Sequence, residues 1–242
     1  MEQDTQNPGR RAFLIAGMAT FATALTGCES ARPLFRRPSF APLPERPPVD
    51  VPATGTDTSL GSYRAIYGAI YDEGLAIPAI DLSKVGSEFL RQPVPWYGPE
   101  RPGTVIVETG TRHLFLIREN NNAMRYGVGV GREGFAWSGD GIIQWKQKWP
   151  KWTPPDEMIA RQPELEKYSA DNGGMPGGLE NPLGARALYI FSGGKDTLFR
   201  IHGTPEFWSI GKAVSSGCIR MMNQDVIDLY DRIPDRTPVI VR

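Results

Sequence analysis

The sequence is poor in the residues that build metal sites. Its 242 residues include only two Cys, Cys28 and Cys218, and two His, His113 and His202. A Cys/His zinc site would have to use all four, and the close pairwise spacing of such sites is absent. No metal or other cofactor is expected. Excess charge of either sign is missing too, because 27 Lys and Arg balance 27 Asp and Glu. A nucleic-acid binder needs a basic surplus to displace counterions, so nucleic acid is excluded as a partner. No apolar run reaches the roughly 18–20 residues of a membrane-spanning helix. Gly and Pro, by contrast, are plentiful at 27 and 22 residues. That composition favours a loop-rich, mainly β fold over a helix bundle. A chain of this length that is 40% hydrophobic holds one sizeable core or at most two small ones.

The chain opens with Arg10-Arg11-Ala12-Phe13-Leu14 and a mild apolar run to Leu25. A positive start followed by a short apolar stretch reads as an export signal over 1–28. The Arg pair resembles a twin-arginine signal, a receptor-read address; an ordinary Sec signal is the alternative. Leu25-Thr26-Gly27-Cys28 resembles a bacterial lipobox, in which Cys28 would be lipidated and hold the protein at a membrane surface. Plain cleavage after Ala24 is the other reading. Residues 29–58 contain seven Pro and no hydrophobic periodicity, which describes a semi-extended tether. Residues 59–101 read as an arm packing on the main domain, with Asp81 or Ser83 capping a helix start.

Strand signals are dense from Gly103 onward. Residues 104–108, 113–118 and 124–130 follow one another across short turns, 188–191 and 198–202 flank Ser192-Gly193-Gly194-Lys195-Asp196, and 237–241 ends the chain. Successive hairpins predict an antiparallel sheet. One helix is expected over 223–233, capped by Asn223, with Val226, Ile227, Leu229, Tyr230 and Ile233 as its apolar face and Pro234 as its stop. Residues 132–183 hold four of the six Trp, at 137, 145, 149 and 152. They read as a long Trp-rich insertion that either carries function or supplies hydrophobic padding.

With Cys28 lipidated or removed, Cys218 has no disulfide partner. It is either a buried inert thiol or a reactive one. Its setting, Val214-Ser215-Ser216-Gly217-Cys218-Ile219-Arg220-Met221, supports reactivity. Small residues precede the sulfur, Arg220 adds positive potential, and the first turn of a following helix would add more. A nucleophilic Cys needs a base. His202 ends an apolar strand beside Gly203, whereas His113, between Arg112 and Leu114, reads as a structural strand residue.

The pattern His202-Gly203-Thr204, a separation of 16 positions, then Ser216-Gly217-Cys218-Ile219-Arg220-Met221, resembles the L,D-transpeptidase catalytic (YkuD) domain of bacterial cell-wall enzymes. The run Asn181-Pro182-Leu183-Gly184-Ala185-Arg186-Ala187-Leu188-Tyr189 is similar to the strand that leads to the family's His. The resemblance covers residues 102–242. One departure is Ser216, where many members carry His.

The resemblance implies a β-sandwich or small barrel with one main helix. It implies Cys218 as nucleophile, attacking as thiolate, and His202 as base. The Gly203 carbonyl would orient the imidazole, backbone N–H groups near Gly217 and Cys218 would bind the oxyanion, and Arg220 and Ser216 would contact substrate, Arg220 alternatively bracing the site. The implied reaction takes peptidoglycan stem peptides. Cys218 forms a thioester with the third residue of a tetrapeptide stem, D-alanine leaves, and an acceptor amine takes the acyl group. Carbapenem-type inhibitors are expected to acylate the same sulfur. Water as acceptor would make an L,D-carboxypeptidase, a protein Lys would make an anchoring enzyme, and a dead site would leave a wall-binding module.

Overall fold

The computed structural model of the chain describes residues 60–131, 137–215 and 217–242. The expected export signal over 1–28 with Cys28, the tether over 29–58, and Ser216 lie outside the described residues.

Helix α1 (Leu60–Ile66) leads into the hairpin of β1 (Ile70–Asp72) and β2 (Leu75–Ile77), two single 3-10 turns and β3 (Gln92–Pro95). Then come β4 (Val105–Glu108), β5 (His113–Arg118), β6 (Asn122–Gly127) and the short β7 (Val130–Gly131). The long β8 (Gly139–Lys148) is followed by α2 (Asp156–Arg161), β9 (Arg186–Ser192) and β10 (Lys195–Thr204). The chain finishes with β11 (Ala213–Ser215), β12 (Ile219–Met222), α3 (Asn223–Arg232) and β13 (Thr237–Val241).

Among the described residues, nine strands form one sheet in the order β12-β10-β9-β8-β13-β4-β5-β6-β3. Val105 and Val107 of β4, Leu114 and Leu116 of β5 and Tyr126 of β6 share a core with Ile201 of β10 and Ile219 and Met221 of β12. Those strands lie towards opposite ends of the order, so the sheet curls until its two wings face each other, the arrangement of a sandwich or flattened barrel. A bridge between Gly129 and Arg220 nearly closes it. Val105, Ile106 and Val107 are all fully buried, because Ile106 points away from the main core into a smaller one with Ile117 and Ala123.

The sheet is mixed rather than purely antiparallel. β13 pairs parallel with β4, and β12 pairs parallel with β10. In each case the intervening chain returns to the same end of the sheet before the next strand begins, which local hairpin patterns cannot reveal.

Helix α3 buries Val226 and Leu229 against the core, with Ile233 just beyond its end. Asn223 does not cap it: Met222 holds the cap position, and the Asn223 Oδ1 instead accepts a 2.9 Å hydrogen bond from the backbone N–H of Ala185. Asp81 does cap a short turn, accepting from the backbone N–H of Ser83 at 3.1 Å. Tyr63, Tyr67, Val85 and Leu90 pack with Ile210 and Met222, and Arg91 Nη1 lies 2.7 Å from Asp228.

The Trp-rich stretch is more regular than its composition suggests. Trp145 belongs to β8, between β9 and β13 in the sheet. After β8 the stretch from Trp149 to Ala185 leaves the sheet. Its base is tied by Trp149 Nε1 donating to Asp72 at 2.8 Å, a carboxylate also held by Arg186 through bonds of 2.7 and 2.8 Å.

Candidate active site

The site is built where β10 and β12 lie side by side. In β10 the period of two sends Ile201 into the core and turns Arg200 and His202 to the opposite face. A bulge between Asp196 and Arg200 sets that phase. Leu198 sits there at φ +64°, its N–H held by Asp196 Oδ1 at 2.8 Å. On β12, Ile219 pairs with Ile201 and Arg220 with His202. Cys218 therefore falls beside Arg200, whose backbone N–H favours the ionised sulfur. Arg200, His202, Cys218 and Arg220 share one face of two hydrogen-bonded strands, with His202 and Cys218 as diagonal neighbours.

His202 is 5% exposed, and its Nδ1 lies 2.6 Å from the carbonyl oxygen of Gly203. A carbonyl only accepts, so Nδ1 carries the proton and Nε2 keeps its lone pair. Burial pushes the imidazole down to about 4; the bond to Gly203 resists this, and the Arg220 and Arg200 cations add to it. Cys218 keeps part of its surface open, yet burial of the rest pushes its thiol up. The Arg200 N–H and the charges of Arg200 and Arg220 pull the other way without prevailing. At neutral pH both shifts favour the uncharged forms of the thiol and the imidazole. Desolvation wins because it acts on the whole ionised sulfur, while the guanidinium charges are already shared with carboxylates. Arg220 lies 2.6 Å from Glu206 and Arg200 lies 2.7 Å from Asp196.

The turn before Cys218 is held by Ser215, whose Oγ donates to the Cys218 carbonyl at 2.6 Å and accepts from the Gly217 N–H at 3.3 Å. That N–H, a candidate oxyanion donor from the sequence, thus has a partner inside the loop. Gly217 adopts φ +124°, where an L side chain is strained, and a Cβ there would press on the ring of Phe199 at 3.3 Å. Strand β12 separates Cys218 from α3, so the first turn of the helix does not flank the sulfur. His113 lies in β5, its Nε2 3.1 Å from the Glu88 carbonyl and its ring stacked on Phe89. Among the described residues, no three His, Cys, Asp or Glu side chains gather as a metal site.

Arg200, Ser215 and Glu206 were not legible as site residues from the sequence. Arg200 had a usable signal, since it stands two positions before His202 on a strand and so shares its face. Ser215 and Glu206 act through turns whose shape no local pattern announces.

Residues 102–241 match the family described as YkuD, L,D-transpeptidase catalytic domain. "Probable L,D-transpeptidase ErfK/SrfK" of Escherichia coli strain K12 is 31% identical over 188 residues, covering 72% of this chain and 57% of its own length. "Probable L,D-transpeptidase YbiS" of the same strain is 32% identical over 147 residues, covering 57% of this chain and 43% of its own length. The chain thus spans about half the length of these curated relatives. A solved Brucella melitensis structure described as a "Probable carnitine operon oxidoreductase caia" is 42% identical, with TM-score 0.45 over 64% of this chain and 94% of that one. The match to the family extends over more than half of the chain and takes in both β10, with its His-Gly-Thr, and Cys218 with the β12 strand that follows it: this chain belongs to the L,D-transpeptidase catalytic domain family.

Proposed function

We infer that this protein is a peptidoglycan L,D-transpeptidase. The observation that carries this reading is the hydrogen bond from His202 Nδ1 to Gly203 on the strand paired with the one that follows Cys218. A neutral imidazole fixed in that tautomer is a general base, and a thiol on the same face is its natural proton donor.

As the Cys218 sulfur attacks the carbonyl of the third stem residue, its proton passes to His202 Nε2. The carbon–nitrogen bond to D-alanine then breaks, the leaving amine takes that proton, and a thioester remains. An acceptor amine attacks the thioester carbonyl, gives a proton to His202, and the sulfur departs and is reprotonated. Starting from a neutral pair suits this sequence, because charge appears only while the proton is in flight. The Arg200 backbone N–H, which favours the ionised sulfur, stabilises the charge that develops there. Arg220, held by Glu206, braces the face, and Gly217 lets the loop turn without a side chain in the way.

Export by the signal over 1–28, lipidation at Cys28 and a tether over 29–58 complete the proposal. At roughly 3 Å per residue the tether reaches up to about 90 Å, which lets a periplasmic, membrane-attached domain work at a distance. Mass spectrometry after incubation with a carbapenem tests the nucleophile: one adduct on the wild type and none on Cys218→Ala supports it, and no adduct on the wild type overturns it. Purified sacculi then distinguish the acceptors, with cross-linked dimers for transfer and tripeptides for hydrolysis.

A further inference from the structure

The face that carries Cys218 and His202 continues across the sheet as a row of stacked side chains. Arg200 pairs with Tyr189 of β9, and Tyr189 pairs with Trp145 of β8. The Arg200 guanidinium lies 4.4 Å from the centroid of the Tyr189 ring. Tyr189 in turn stacks on Trp145 with centroids 3.6 Å apart and planes 10° from parallel. The row ends in an open aromatic surface. Trp145 is 40% exposed, and β13 begins at Thr237 opposite Ile143, so no strand among the described residues flanks Trp145 on its far side. The Tyr189 hydroxyl donates to Gln147 Oε1 at 3.2 Å, which fixes the stack before any ligand arrives. Arg200 is neutralised by its two bonds to Asp196, of 2.7 and 2.8 Å. What remains is a flat, uncharged platform with a polar rim.

We propose that Trp145 on its Tyr189 support is the subsite for the N-acetylated sugar ring that bears the donor stem peptide. This rests on the transpeptidase reading, because it takes Cys218 as the point where the third stem residue is held. Trp145 stands three strands from Cys218, about 14 Å at about 4.8 Å per strand. Three extended residues span about 10–11 Å, and the ether-linked acid joining stem to sugar adds a few ångströms more. A stem laid across β10 and β9 with its reacting carbonyl at Cys218 thus brings its sugar over Trp145. The apolar C–H face of a pyranose fits an exposed indole, and its hydroxyls and acetamide meet the Gln147 rim. A free peptide would leave that indole uncovered.

Calorimetric titration of full-length Cys218→Ala protein with two ligands, a free tetrapeptide and the same tetrapeptide on its disaccharide, tests this without turnover. The disaccharide form is expected to bind about tenfold tighter, and Trp145→Leu, which keeps apolar bulk but no flat face, to abolish that gain while free-peptide affinity stays within about twofold. A melting curve of the Leu variant checks its fold, and Trp145→Tyr is expected to restore most of the gain. Equal affinity for both ligands, or a gain that survives Trp145→Leu, overturns the sugar subsite while leaving the transpeptidase reading in place. Binding of neither ligand overturns both.

Discussion

His202 donates its Nδ1 proton to the carbonyl of its own neighbour, Gly203, across 2.6 Å. A carboxylate in that place would add a negative charge and raise the imidazole; a backbone carbonyl fixes the ring and adds only a dipole. Burial therefore prevails, and the base stays neutral well below its ordinary range. The backbone at Gly203 is itself closely packed. A Cβ built on Gly203 would overlap Asn223 Oδ1, the atom that accepts from the Ala185 N–H. Glycine at 203 lets the strand end, the start of α3 and the chain entering β9 meet at one point.

Gly203→Ala is therefore expected to slow formation of the carbapenem adduct by about tenfold or more, equivalent to about 1.4 kcal/mol in the barrier. Crowding of a packed position typically costs about 1–3 kcal/mol of stability, so the melting temperature should fall as well. Timed mass spectrometry and a thermal melt check the two effects. Unchanged acylation with a lowered melting point would remove the Gly203 carbonyl from the mechanism.

The resting charge state separates ionisation from proton transfer. Burial pushes the Cys218 thiol above its ordinary value, and His202 at about 4 gives up its proton before the thiol titrates. Alkylation of Cys218 by iodoacetamide should thus climb steadily from pH 5 to pH 10 with no acid plateau. His202→Ala is expected to change that rate by less than about threefold, yet to cut carbapenem acylation by about a hundredfold or more. A plateau below pH 7 in the wild type would instead establish a standing thiolate–imidazolium pair.

Most strands of the sheet were legible because their apolar runs are dense and bounded by turns, and the pair His202 and Cys218 stood out through its flanking Gly. The parallel placements of β12 and β13 were not, since parallel pairing is decided by where long connections return. The run around Trp145 is not legible as a strand, since Gly139-Asp140-Gly141 and Lys146-Gln147-Lys148 carry little strand propensity. The neighbouring strands β9 and β13 supply the ordering that propensity lacks. The electrostatics of the site are not legible for a related reason: Arg220 is visible in the sequence, but its 2.6 Å pairing with Glu206 and the burial around the sulfur are properties of the fold.

Arg220 and Glu206 should act with opposite signs on the sulfur. The Arg220 charge lowers both the thiol and the imidazole, so Arg220→Gln is expected to move the alkylation curve to higher pH. Glu206→Gln leaves that cation uncompensated and should move the curve to lower pH. Glu206 is half exposed, so the pair itself contributes under about 1 kcal/mol to stability, and neither variant should melt much earlier. Shifts in the same direction would show that the two residues act through loop structure and not through charge.

Asp225 gives the last test, away from the reacting face. It is fully buried, with the Tyr67 hydroxyl donating to Oδ2 at 3.2 Å and Arg91 Nε 3.7 Å from Oδ1. Burial pushes its carboxyl up to about 7, Asp228 adds to this, and Arg91 and the Tyr67 bond oppose it. Since the folded value lies above the ordinary 3.8, the folded state holds a proton that the unfolded chain releases between those two pH values. Stability from this group is complete below about 4 and is lost as pH rises towards about 7. His202 works in the opposite sense, because its folded value of about 4 lies below the ordinary 6.5 and stability from it is lost as pH falls through that interval. The two slopes mask each other in the wild type, but comparison with Asp225→Asn isolates one, since His202 is common to both proteins. The melting temperature of Asp225→Asn minus that of the wild type should become more positive from pH 5 to pH 8. Were it constant or falling, Asp225 would be ionised throughout, with Arg91 offsetting the whole cost of its burial.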